Sequence, residues 1–236
     1  MFPILSIYSQ NMSSRVPESS KGAFMSESYP PRQDYNFAES SIRIGNVHAD
    51  PVKQFENWYS EEEAAEHGEP NRIALATSTP EGIPSLRMVL LKIFGPDGFH
   101  FFTDYSSRKS AEMESNPKVA ILSHWPRLQR QVRIEGIVER SNRQISENYF
   151  NSRPRLSRAA ASVSDQSSAM ISREDFEMKL KSLSSGEDPI PCPEKWGGYC
   201  LKPARFEFWQ GQPGRVHDRV QYDLEDGKWI LSELQP

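Results

Sequence analysis

Hydrophobic and polar positions change period several times along the chain. Asp50-Pro51 reads as an N-cap followed by proline at the first helical position. Val52, Phe55 and Trp58 then recur at helical spacing, which predicts an amphipathic helix. Short β-type runs follow at Ile73–Thr77, Ser85–Lys92, Phe99–Thr103, Val119–Trp125 and Gln131–Glu139, separated in two places by Pro-Glu-Gly and Pro-Asp-Gly turns. In the last run Val132, Ile134 and Val138 alternate with Arg133, Glu135 and Glu139, the mark of a strand with one buried face.

Helical patterns interrupt the strands at Ser107–Ser115, at Ile145–Ser152 and from Ser172, where Asp175 stands at capping-box distance. The tail returns to β-type sequence at Tyr199–Leu201, Arg205–Trp209, Arg215–Tyr222 and Trp229–Leu231, with Asp226-Gly227 as a hairpin turn. Strands at both ends with helices between them predict an α+β, mainly β protein: one closed β-barrel carrying peripheral helices. The Ser- and Pro-rich stretch 1–46 predicts a mobile N-terminal arm, and 47–236 a single folded domain.

Composition narrows the class. With 28 Lys+Arg against 32 Asp+Glu the formal charge is −4, which argues against a general nucleic-acid or anionic-membrane binder. No run approaches the ~20 apolar residues of a membrane span, and the apolar start Phe2–Tyr8 is too short for a secretory signal. The two cysteines, Cys192 and Cys200, fit neither a disulfide scaffold nor a zinc site and point to a reducing compartment. The expectation is a cytoplasmic protein without a metal; the acid-free first seventeen residues leave a mitochondrial address as the alternative.

Several segments could carry chemistry. The stretch Phe208–Arg219, FWQGQPGRVHDR, offers Phe208 and Trp209 to a flat ring. If it is extended, it sends Arg215, His217 and Arg219 to one side. In RMVLLK, the cations Arg87 and Lys92 sit in an apolar strand and on opposite faces by period two; an anion site and an ordinary salt-bridged strand both suit them. Ser106, Ser107, Arg108 and Lys109 occupy a strand-to-helix junction, which suits a phosphate or simply a capped, solvated helix start. Tyr149, Arg153 and Ser157, four apart, would share a helix face unless Pro154 breaks the helix. Gln131, Gln166 and Ser167 could meet the heteroatom edge of a ring, although Asp165–Ser168 also reads as a plain loop.

Taken in order, RMVLLK, FFTDYSSRK, RQVRIEG, YFNSRP, DQSS, WGGY and FEFWQG…RVHDR make the chain resemble the pyridoxine (pyridoxamine) 5′-phosphate oxidase family from about Asp50 to Pro236. The resemblance implies an FMN-binding split β-barrel and a homodimer with active sites at the subunit interface. It assigns FMN to Arg87, Met88, Val89, Leu90, Leu91, Lys92, Phe102, Thr103, Arg108, Lys109, Gln131, Gln166, Ser167, Trp209 and Arg219. Substrate falls to Arg32, Tyr35, Lys92, Tyr149, Arg153, Ser157, Arg215, Val216 and His217, with Arg215 and His217 as the catalytic pair.

The reaction it implies oxidises the 4′ carbon of pyridoxine 5′-phosphate or pyridoxamine 5′-phosphate by hydride transfer to flavin N5. Pyridoxal 5′-phosphate is the product, and O2 reoxidises the flavin to give H2O2. The chain departs from the family pattern at Arg158-Ala159-Ala160, where Gln-Ile-Gly is usual, and at Phe102, where Tyr is common. Replacing that glycine with Ala160 excludes the easy φ > 0 conformation, so the loop between Ser157 and Gln166 is expected to depart from the family's geometry. The alternative from another class is a non-catalytic FMN or pyridoxal phosphate carrier on the same barrel.

Overall fold

The computed structural model describes residues 41–65 and 68–236. Helix α1 (Pro51–Ala64) starts as its sequence predicts: the Asp50 carboxylate accepts from the Val52 N–H at 2.9 Å, and Pro51, lacking a donor, leaves none orphaned. Its buried side chains include Val52, Phe55 and Trp58. Upstream, Ile42 is buried and its N–H donates to Asp218 Oδ2 at 3.3 Å, while the Ile44 N–H donates to Glu233 Oε1 at 3.0 Å.

The eight strands are β1 (Arg72–Ser78), β2 (Pro84–Gly95), β3 (Gly98–Asp104), β4 (Lys118–Trp125), β5 (Arg130–Arg140), β6 (Trp196–Gln210), β7 (Asp218–Glu225) and β8 (Lys228–Glu233). All pair antiparallel in the order β3-β2-β1-β4-β5-β6-β7-β8, and a further β3–β6 pairing closes the first six into a barrel. The two short runs expected at 199–201 and 205–209 form one 15-residue strand, β6. It stays continuous because Ala204 is accommodated as the extra residue of a bulge opposite Glu135 and Gly136. The first half of β6 closes the barrel against β3, and the second half carries the β7–β8 hairpin. At the tip of that hairpin Asp226 and Gly227 have φ of 47° and 76°, the two positive values of a type I′ turn.

Inside the barrel lie Ile73, Leu75, Leu91, Phe99, Phe101, Ile121, Val132, Ile134, Phe206 and Phe208. Phe55 from α1 plugs one end, edge-on to Phe94 at 5.1 Å and Phe99 at 5.2 Å. Phe208 is therefore a core residue, packed edge-on against Trp58 at 5.2 Å, and only Trp209 faces outward. The expectation that both rings flank one ligand fails because adjacent strand residues point to opposite faces.

The remaining helices are α2 (Arg108–Ser115), α3 (Arg143–Ser152), α4 (Arg155–Val163) and α5 (Arg173–Ser185), the last capped by Ser172 Oγ accepting from the Asp175 N–H. They supply the walls of a cavity on the barrel's flank. Strand outweighs helix among the described residues, and no helix there is long and apolar enough to cross a membrane.

Candidate active site

A cavity of about 420 Å³ opens between β2, the end of β3, α2, α3, α4, α5 and the start of β6. Met88, Val89, Leu90 and Lys92 line it from β2 and Phe102 and Thr103 from β3. Lys109, Tyr149, Arg153, Ala160, Gln166 and Trp196 complete most of the wall. Lys92 reaches it at the same alternate spacing as Met88 and Leu90. Leu91 pairs with Phe101 and Ile93 with His100, so Lys92 is also the extra residue of a bulge. Leu91, in the same motif, is buried in the core and offers the site only its backbone.

At one end Lys109 is buried. Its Nζ donates to Gln166 Oε1 at 2.6 Å, Thr103 Oγ1 at 2.9 Å and Ser107 Oγ at 3.2 Å, and Thr103 Oγ1 also donates to Gln166 Oε1. All these partners are neutral. Burial first, and the neighbouring Arg87 charge second, bring the Lys109 ammonium down to about 8. A buried cation with only neutral partners is suited to an anion. Ser167, next to Gln166, is exposed with φ 74° and does not line the cavity.

Arg87 faces away from Lys92, as period two predicts. It donates to Leu75 O at 3.1 Å, to the Thr77 and Ser85 hydroxyls, and to Glu112 Oε2 at 3.1 Å. Arg108, from the first turn of α2, donates to Glu112 Oε1 at 2.8 Å. Glu112 also accepts from Thr77 Oγ1 and Ser85 Oγ. Burial alone would raise its pKa; hydrogen bonds from Ser85, Thr77, Arg108 and Arg87 override that and hold it at about 2. Neither arginine lines the cavity. Sequence reasoning missed Glu112, although an acid four residues after Arg108, beside the apolar Met113, is the available signal.

At the other end stand the phosphate candidates. Arg153 lies over the Trp196 ring at 4.9 Å and Lys92 over the Tyr149 ring at 5.9 Å. Phe102 completes a three-ring cluster with them, 4.2 Å from Tyr149 and 5.6 Å from Trp196, which are themselves 6.1 Å apart. The close approach depends on Gly198, whose added Cβ would meet the Phe102 ring at 2.8 Å. Burial lowers the Arg153 pKa. Tyr149, Arg153 and Ser157 do not share a helix face. Pro154 ends α3, Arg153 takes an extended ψ of 149°, and Ser157 rides on α4 outside the cavity lining. Ala160 is helical within α4, so the lost glycine creates no strain.

Gln131, Trp209 and Arg219 are cross-strand neighbours on the outer face of β5, β6 and β7 and are not part of this cavity. Gln131 and Trp209 line a separate hollow of about 270 Å³ together with Leu86 and Glu207. Arg219 Nε donates to Glu207 Oε1 at 2.8 Å. The expected alternation of Arg215, His217 and Arg219 along one strand is not found, because β7 begins only at Asp218. Pro213–Arg215 form a 3₁₀ turn in which Gly214 has φ 64° and Arg215 φ 62°. The turn is tied by Gln212, whose side-chain Nε2 donates to Asp218 Oδ2 at 2.7 Å and whose N–H donates to His217 Nδ1 at 3.1 Å.

With Nδ1 accepting, a neutral His217 carries its proton on Nε2. Burial, then the Arg215 charge, lower its pKa and favour that neutral form. The His217 ring sits 4.5 Å from that of Trp209, and Val216 is exposed beside it. Arg32 and Tyr35 lie outside the described residues.

Comparison with known proteins adds identity to this geometry. A family profile described as pyridoxamine 5′-phosphate oxidase matches residues 60–185, and one for the pyridoxine 5′-phosphate oxidase C-terminal dimerisation region matches 196–236. The pyridoxine/pyridoxamine 5′-phosphate oxidase of Salinibacter ruber is 45% identical over 210 residues, spanning 87% of this chain and 97% of its own. That of Crocosphaera subtropica is 48% identical over 212 residues, with 87% and 97% covered. The crystal structure of PhzG from Burkholderia lata, in complex with tetrahydrophenazine-1-carboxylic acid, superposes with a TM-score of 0.80 at 27% identity over 86% of this chain and 98% of that one. The two matched profiles and these relatives place the chain in the pyridoxine/pyridoxamine 5′-phosphate oxidase family.

Proposed function

We propose that the protein oxidises pyridoxine 5′-phosphate and pyridoxamine 5′-phosphate to pyridoxal 5′-phosphate with FMN as cofactor and O2 as final acceptor. It does so as a homodimer whose two sites each draw on both chains. The observation that carries this reading is the pair Lys92 and Arg153, two cations set against aromatic faces in one cavity. Their charges are offered to a phosphate-sized anion beside rings that suit a pyridine. The relatives' names and the matched dimerisation region support the substrate and the second copy.

The residues fit FMN at the opposite end. Lys109, oriented by Thr103 and Gln166, is a buried cation whose hydrogen-bond partners among the described residues are all neutral, and Met88 to Leu90 supply an apolar wall. Gln131, Trp209 and Arg219 would come to that cavity from the second copy, since within one chain Gln131 and Trp209 face a different hollow and Arg219 is the cross-strand neighbour of Trp209. Arg87 and Arg108, gathered by Glu112, add positive charge at the same end. FMN held there would supply the hydride acceptor, with O2 as the oxidant that regenerates it and is reduced to H2O2.

The chain's own contribution is binding and orientation. Lys92, Tyr149 and Arg153 grip the substrate phosphate, and Ser157 joins this set by family resemblance. Arg215 and His217, with Val216 between them, face the substrate ring. His217 acts as a neutral N–H donor fixed by the Gln212 amide, not as a cation. The oxidase occupies residues 47–236, and the preceding arm contributes Arg32 and Tyr35.

Oxygen uptake and H2O2 release by flavin-loaded protein supplied with pyridoxine or pyridoxamine 5′-phosphate test the proposal. Flavin binding without turnover of either would favour the carrier reading.

A further inference from the structure

Arg153 is held by a ring where an acid would be ordinary. Its guanidinium lies 4.9 Å from the Trp196 ring centre and 5.9 Å from that of Phe150. Its Nη1 is buried without a hydrogen-bond partner among the described residues. Among the described residues, none of the charges that perturb it belongs to an aspartate or glutamate. The contrast lies with Arg87 and Arg108, outside the cavity lining, which both pair with Glu112.

Trp196 is itself fixed. It is 6% exposed, nearly parallel to Phe102 at 11° and to Tyr149 at 22°, and edge-on to Phe150 at 5.1 Å. Its N–H donates to Pro193 O at 3.0 Å and its carbonyl accepts from Arg143 Nη1 at 3.0 Å.

We propose that Trp196 is a positioning residue for the oxidation: its indole face holds the Arg153 guanidinium at the cavity wall and thereby sets the affinity for the substrate's phosphate. A carboxylate in its place would orient Arg153 equally well but would cancel much of the field offered to the anion. The ring quadrupole orients the cation and leaves its charge intact. Trp196 therefore acts through Arg153, with no bond of its own to the phosphate. The inference rests on the reading that the cavity takes a phosphorylated B6 substrate.

The test uses flavin-loaded wild type, W196M, W196F, R153A and the R153A/W196M double variant. Pyridoxal 5′-phosphate affinity is measured by titration, alongside KM and kcat for pyridoxine 5′-phosphate. A desolvated cation–π contact is worth about one tenfold step in affinity, so W196M should raise Kd and KM roughly tenfold. Its kcat should stay close to wild type, and W196F, which keeps a ring face, should recover most of the loss. On the R153A background, W196M should add nothing.

Wild-type affinity in W196M, or the same loss on both backgrounds, overturns the proposal. So does a W196M or W196F protein that no longer folds or holds flavin, because the indole would then be core support. A wild-type protein that neither binds nor turns over B6 phosphates would instead overturn the functional reading beneath it.

Discussion

Lys109, on α2, and Gln166, in the loop after α4, lie 57 residues apart in the chain and are joined by a 2.6 Å hydrogen bond from Nζ to Oε1. Gln166 thereby orients the ammonium without discharging it, and burial followed by the Arg87 charge leaves it titrating at about 8. Bound anion must raise that value, so FMN affinity is expected to be full below about pH 8. It should weaken as the pH rises through it, by up to about tenfold per unit. K109R, permanently charged, should abolish the dependence in a flavin-fluorescence titration. Stability of the unliganded fold runs the other way. Between about 8 and the ordinary 10.5 the unfolded chain binds the proton that the fold has lost, so this group's contribution to stability rises with pH.

Glu112 presents the opposite sign. Its pKa of about 2 lies below the ordinary 4.5, so its stabilisation is complete above 4.5 and is lost as the pH falls through about 2. Urea unfolding should show that acid limb in wild type and a flatter one in E112Q. E112A strands Arg87, which is only 20% exposed, and should cost about 3 kcal/mol. An unchanged urea midpoint for E112A would show that the cluster contributes nothing.

Arg219 and Arg215, four residues apart, should separate by function. Losing a charge-assisted contact costs ~1.5–3 kcal/mol, so R219A should weaken FMN binding roughly tenfold or more. Glu207 keeps Arg133 as a partner in that variant, which protects the fold. R215A should retain flavin and lose kcat/KM for both B6 phosphates. Equal flavin loss in the two variants would sink the division.

The barrel was legible because its strands alternate and its turns carry Pro-Glu-Gly, Pro-Asp-Gly and Asp-Gly. Each of the five early runs appears as a strand, and Asp50 and Ser172 cap helices as their positions predict. Period two also separates Arg87 from Lys92 correctly. The same rule, carried across Pro213 and Gly214, misplaced Arg215 and His217, since a proline and a positive-φ glycine end the extension that alternation requires. Tyr149, Arg153 and Ser157 fail for a related reason at Pro154. What no spacing revealed was long-range: Gln166 meeting Lys109, Glu112 gathering two arginines, and Trp196 backing Arg153. Such contacts are set by tertiary packing, and no local period encodes them.

The separation of Gln131, Trp209 and Arg219 from the Lys109 cavity has a genetic counterpart. If each site combines one chain's cavity with the other chain's outer face, a K109A chain and an R219A chain are inactive in different halves. Within a mixed dimer both lesions fall in one site, and the second site is wholly native. Random pairing of equal amounts should then restore about a quarter of the wild-type sites. With FMN too scarce to load either variant, the two proteins unfolded and refolded together would yield active sites, while either refolded alone would stay silent.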